Sequence, residues 1–244
     1  MKGLADLTFE QIERYAENLL IKIDPAIINM PQPLPICKIT DYVVEKYSVC
    51  ISYHQSLKSE NNFNVLAKYD RSLNTIFVSS EIRYTSRFRY ILAHEIGHLM
   101  LHRNVQFEGN EYFEQANEKK EYDILSGKRK LKTERDFLEW QASTFASALI
   151  IPRRKFKEKL NILQKSMGIS KRGYIYRDSN RYNRFDYHKT LALLAELYGV
   201  AKTNVACRLK SLNLIKGSTR WVQGLWRKQL ETGDVEQGLL FDYF

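Results

Sequence analysis

The segment Ala93-His94-Glu95-Ile96-Gly97-His98 constrains this chain more than any other. On a helix, positions four apart share a face, so His94 and His98 point the same way. Glu95, one position on, flanks them. The flanking residues Phe88, Ile91, Leu92, Ile96, Leu99 and Leu101 are apolar on several faces, which predicts a buried helix over about residues 84–102. Two imidazoles without partners would be costly in such a helix. One metal ion held by both removes that cost, and Glu95 can then reach a water beside the ion. This is the pattern of a zinc peptidase.

Catalytic zinc takes three protein ligands and leaves a fourth position open. His94 and His98 supply two. Three candidates remain for the third: His102, Glu118 and Glu139. His102 follows His98 by one turn, but three ligands on one straight helix are badly placed for a tetrahedron, so a supporting or packing role suits it better. Glu118 lies in a charge-rich stretch with no helical pattern to hold it. Glu139 lies on a second apolar helix, opened by a capping box at Thr133-x-x-Asp136, with the small Ala142 at i+3. A buried carboxylate there needs a compensating partner, and a metal is a good one. Glu139 is therefore favoured. A histidine six residues after His98 would mark another peptidase class; Asn104 stands there.

The remaining pattern is α+β. An amphipathic helix is predicted over residues 8–21. Pro25, Pro31, Pro33 and Pro35 predict an extended connection leading to a second helix near 37–46. Strands are predicted at 49–53, 64–68 and 75–78, with a hairpin turn at 70–74. A small sheet thus precedes the motif helix, and an edge near 75–79 is expected to take a substrate backbone by strand addition. Residues 103–132 form a charge-rich excursion, with Glu108, Glu111, Glu114, Glu118, Glu121 and Asp123. The second helix runs through Phe137, Trp140, Phe145 and Leu149 and ends before Pro152.

Charge divides the chain. Residues 1–152 carry a net −1 and residues 153–244 a net +11, within a total of +10. Such asymmetry makes nucleic acid a candidate partner of the basic region 153–220. Ala195, Gly199, Val200 and Val205 fall where a helix-turn-helix wants a small residue, a turn glycine and apolar packers. Lys202, Asn204, Arg208 and Lys210 are the expected exposed side chains of its second helix, and a bundle packed on the first domain fits the same spacing. The expected organisation is a domain over 1–164, a linker over 165–187, a helix-turn-helix-like segment over 188–216 and a tail over 217–244. With 44% apolar and 27% charged residues and no apolar run of membrane length, the chain is expected to be soluble. Cys37, Cys50 and Cys207 lack metal or disulfide spacing, and the N-terminus lacks a signal layout. Both point to the cytoplasm.

Taken together, Phe88-x-x-x-x-Ala93-His-Glu-x-Gly-His98-Leu-x-Leu-His102 and Glu139-x-x-Ala142-x-x-Phe145-Ala146-x-x-Leu149-Ile-x-Pro152 resemble the ImmA/IrrE family of zinc metallopeptidases. The resemblance covers about residues 10–215. It implies a zincin-like, gluzincin-like domain with Zn2+ held by His94, His98 and Glu139 and with Glu95 as catalytic base. It also implies a protein substrate: a helix-turn-helix repressor of a mobile element or stress regulon. Ile150-Ile-Pro152 stands where the family usually has Leu-Met-Pro.

Overall fold

A computed structural model of the chain describes residues 5–29, 32–54, 57–58, 64–105, 131 and 133–217. Glu118, most of the charge-rich excursion and nearly all of the 217–244 tail lie outside the described residues. Helix α1 (Phe9–Ile23) opens on a reciprocal cap. The Gln11 amide donates to Thr8 Oγ1, and the Thr8 amide donates to Gln11 Oε1. Ile12, Ala16, Leu19 and Leu20 form its buried stripe. Part of the expected extended connection is a helical turn, α2 (Pro25–Asn29). Pro25 opens it, where a missing N–H costs nothing. Helix α3 (Ile36–Tyr47) follows and stops at Ser48, whose φ is 50°.

Three strands make the main sheet: β1 (Cys50–His54), β4 (Ala67–Asp70) and β5 (Thr75–Ser79), in the order β1-β5-β4. Strand β1 runs parallel to β5, and β4 is antiparallel to it across the 71–74 turn. A short antiparallel pair, β2 (Leu57–Lys58) and β3 (Asn64–Val65), lies between β1 and β4 in sequence. The sheet order corrects the strand-addition expectation. Strand β5 is central, its Ile76 and Val78 fully buried, and both of its hydrogen-bonding edges are already used.

The motif helix, α4 (Phe88–His102), starts later than the apolar pattern suggests. Ser80–Ile82 form a 3-10 turn first. Thr85 then takes the Arg87 amide on its hydroxyl and the Phe88 amide on its carbonyl. Helix α5 (Glu134–Ile150) carries the capping box in full, Thr133 and Asp136 each accepting the other's amide. Helix α6 (Arg153–Ser166) follows directly after Pro152. One continuous core runs from Ile12 on α1 to Leu214 near the end of the described chain.

The last elements are β6 (Ile175–Tyr176), α7 (Arg181–Tyr198), α8 (Lys202–Ser211) and β7 (Ile215–Lys216), with β6 parallel to β7. The expected linker over 165–187 therefore holds a strand and the first turns of α7. The 187/188 boundary falls inside that helix, which is capped by Asn180, whose side chain accepts from the Tyr182 amide. Gly199, at φ 60°, makes the turn between α7 and α8. Arg208 was expected at the surface, yet it is fully buried. Its guanidinium grips both oxygens of Glu13 on α1, and its Nε donates to the Ile151 carbonyl. A buried carboxylate and carbonyl outcompete water for the guanidinium because they satisfy its forked donors in place. Val205, Ala206, Cys207 and Leu209 are buried beside it. Lys202 is exposed, and Asn204 and Lys210 are half-buried. Among the described residues, no helix is long and apolar enough to cross a membrane.

Candidate metal centre

Helices α4 and α5 lie close because of a glycine. A Cβ built on Gly97 would stand 3.1 Å from both Cα and O of Ala142 and 3.3 Å from Phe145 Cδ1. Two backbones approach this closely only where one helix has no side chain and the other a methyl. The approach brings Glu139 of α5 to the two histidines of α4.

One ligand atom each from His94, His98 and Glu139 lie within 4.8 Å of one another, and all three residues are buried. His94 Nε2 stands 3.0 Å from His98 Nε2 and 3.4 Å from Glu139 Oε2. Ligand atoms roughly 2.0–2.2 Å from a tetrahedral ion would lie about 3.3–3.6 Å apart. The two separations at His94 match that spacing to within a few tenths of an ångström, the third lies within 4.8 Å, and the donor set fits a metal. The set mixes two neutral nitrogens and one anionic oxygen, which suits a borderline divalent cation. Burial holds the His98 imidazole far below its ordinary value, at about 3, with His94 adding to the fall and Glu139 opposing it. The ring therefore stays neutral, the form that can ligate.

Glu95 is 0% exposed and follows His94 directly. His102 does not join the ligand set. Its Nδ1 stands 2.9 Å from His98 Nδ1, on the side away from His94. Two further residues of α5 touch the centre and carried no expectation. Ser143 Oγ lies 3.2 Å from His94 Nδ1, and Gln141 Oε1 lies 2.9 Å from His102 Nε2. The available signal was weak: two polar residues, i+2 and i+4 from Glu139, in a helix that also carries Thr144 and Ser147. Burying a glutamine or serine calls for a partner, but the sequence does not say which.

A family model described as Peptidase_M78, IrrE N-terminal-like domain, matches residues 53–210. That span takes in the four expected site residues, all of α7 and most of α8. No curated protein matches the chain. A solved structure described as a Mycobacterium tuberculosis transcriptional regulator is similar at 13% identity with a TM-score of 0.47, over 82% of this chain and 56% of that one. The chain thus spans little more than half the length of that regulator.

Proposed function

This chain belongs to the Peptidase_M78, IrrE N-terminal-like family, and we propose that it works as a zinc-dependent endopeptidase whose substrate is a helix-turn-helix transcriptional repressor. The observation that carries the reading is the buried His94–His98–Glu139 set with Glu95 intact beside it. A purely structural metal site has no need of that extra carboxylate. His94, His98 and Glu139 would hold the ion, and a bound Zn2+ would lower the pKa of water towards about 7 and polarise the scissile carbonyl. Glu95 takes a proton from the attacking water and delivers it to the leaving amine.

The substrate class rests on the family resemblance. None of Cys37, Cys50 and Cys207 forms a disulfide, which suits a reducing cytoplasmic setting. The competing reading, regulation by contact with DNA, is weakened by the burial of Arg208 and the middle of α8. The basic excess of residues 153–220 would have to act through other exposed side chains. A gel shift that falls steeply with salt would restore that reading.

The test is Glu95→Gln. The purified zinc-loaded chain is incubated with candidate helix-turn-helix repressors, and fragments are read by mass spectrometry. The expected result is cleavage by the parent chain, and no cleavage but full metal content for Glu95→Gln. Undiminished cleavage by the variant would defeat the peptidase reading.

A further inference from the structure

Behind His98 a line of hydrogen bonds, two buried and the last part-buried, leads away from the ligand set and ends on the backbone of the N-terminal segment. It runs His98 Nδ1 to His102 Nδ1 at 2.9 Å, His102 Nε2 to Gln141 Oε1 at 2.9 Å, and Gln141 Nε2 to the Ala5 carbonyl at 2.8 Å. We propose that His102 and Gln141 are positioning residues that lock His98 into the tautomer a metal requires, with the Ala5 carbonyl as the fixed end of the line. This rests on the metal-site reading above.

The fixed end decides the protons. A backbone carbonyl only accepts, so the group facing Ala5 O must be the Gln141 amide NH2. The other end of that amide, the carbonyl oxygen, then faces His102 Nε2, which must carry a hydrogen. A neutral imidazole protonated at Nε2 has its lone pair on Nδ1. That lone pair faces His98 Nδ1, which must donate. A neutral His98 protonated at Nδ1 has its lone pair on Nε2, the atom 3.0 Å from His94 Nε2 in the ligand set. With His102 neutral, the opposite polarity would require a donor in place of the Ala5 carbonyl. It would put a hydrogen on His98 Nε2 and block the metal. The line also pins the plane of the His98 ring, because Nδ1 has to meet His102. His102 is 3% exposed and Gln141 is fully buried, so bulk water does not compete for the two bonds to the His102 ring.

Helix α5 thus does more than present Glu139. Gln141 orients one histidine through His102, and Ser143 meets the other at His94 Nδ1. Outer partners of this kind set ring orientation and ligand basicity, and losing one typically weakens metal binding about 10–100-fold.

The experiment compares the full-length chain with His102→Ala, His102→Gln and Gln141→Leu. Zinc affinity is measured by competition with a chromophoric chelator, and the His98 tautomer by long-range proton–nitrogen spectra of the metal-free chain. The parent is expected to show the Nδ1–H tautomer. His102→Ala should weaken zinc about 10–100-fold and mix the His98 tautomers. His102→Gln can still accept from His98 and should restore most of both. Gln141→Leu touches neither ring of the α4 pair, yet should also loosen the tautomer and weaken zinc. It carries the test should His102→Ala fail to fold. An Nε2–H tautomer in the parent, or zinc affinity within about twofold of the parent in both His102→Ala and Gln141→Leu, would overturn the proposal. A parent chain that binds no zinc would instead defeat the metal-site reading, and the tautomer measurement would still judge the hydrogen-bond line.

Discussion

Glu139 is a carboxylate 5% exposed, and His94 Nε2 stands 3.4 Å from its Oε2. An ionised carboxylate in that position is costly without a cation. Glu139→Ala is therefore expected to abolish stable zinc binding while the metal-free fold survives, as read by metal content after dialysis. Glu95→Gln should leave metal content unchanged. His98 adds a pH dependence. Its folded pKa is about 3, against 6.5 for the ordinary group. Between those values the unfolded chain binds the proton and the folded chain does not, so falling pH favours unfolding. The zinc-stripped protein should be fully stable with respect to this group above about pH 6.5 and lose stability progressively towards about pH 3. A urea midpoint lower at about pH 5 than at about pH 7.5 would bear this out. A midpoint that did not fall would show that His98 is not held neutral. The pairing of His94 with His98 was legible because a four-residue spacing on one helix is local, whereas Glu139 lies on another helix and was favoured for its apolar surroundings. Ser143 and Gln141 were not legible, since their partners lie 49 and 39 residues away.

At the level of elements, the site depends on how closely α4 and α5 meet. Gly97 stands against backbone atoms of Ala142, and backbone cannot swing aside as a flexible side chain can. Replacing a helical glycine by alanine ordinarily gains about 1 kcal/mol of helix propensity. Here the added methyl overpacks a tight seam, at a cost of about 1–3 kcal/mol. The cost should win, and Gly97→Ala should lower the denaturation midpoint. It should also weaken zinc, because Ala142 is pushed outward three residues from Glu139. A variant of normal stability and normal zinc affinity would show that the seam has slack. Thr133→Ala should cost about 1 kcal/mol through the lost α5 cap, without the zinc penalty. The sequence carried the α5 cap, the 71–74 turn and the small residue at 142, each set by neighbours within a few positions. It did not carry the order of the sheet. Placing β5 between β1 and β4 depends on a parallel pairing between strands that have other chain between them, which alternation of apolar residues does not specify.

For the molecule as a whole, the decisive contact joins the first and last helices of the described residues. Arg208, 195 residues from Glu13, closes α8 onto α1 through a buried ion pair. Periodicity could read α7 and α8 as a helix-turn-helix but could not say which face had a carboxylate waiting for it. Removing one partner of a buried pair strands the other charge, at a cost of about 3–5 kcal/mol. Replacing both by apolar residues costs far less. Arg208→Met should thus be strongly destabilised, and the double variant Glu13→Leu with Arg208→Met should regain much of the loss. The same contact bears on domain organisation. A chain ending at residue 164 would keep Glu13 and the Ile151 carbonyl in the core but lose the guanidinium that satisfies both. It would also lose α7 and α8, whose Leu194, Tyr198, Val205 and Leu209 belong to the shared core. The shortened chain is expected to retain helix by circular dichroism but melt without a cooperative transition, whereas the full chain unfolds in one. A sharp two-state melt of residues 1–164 would instead establish that segment as an independent domain and reduce α8 to an attachment upon it.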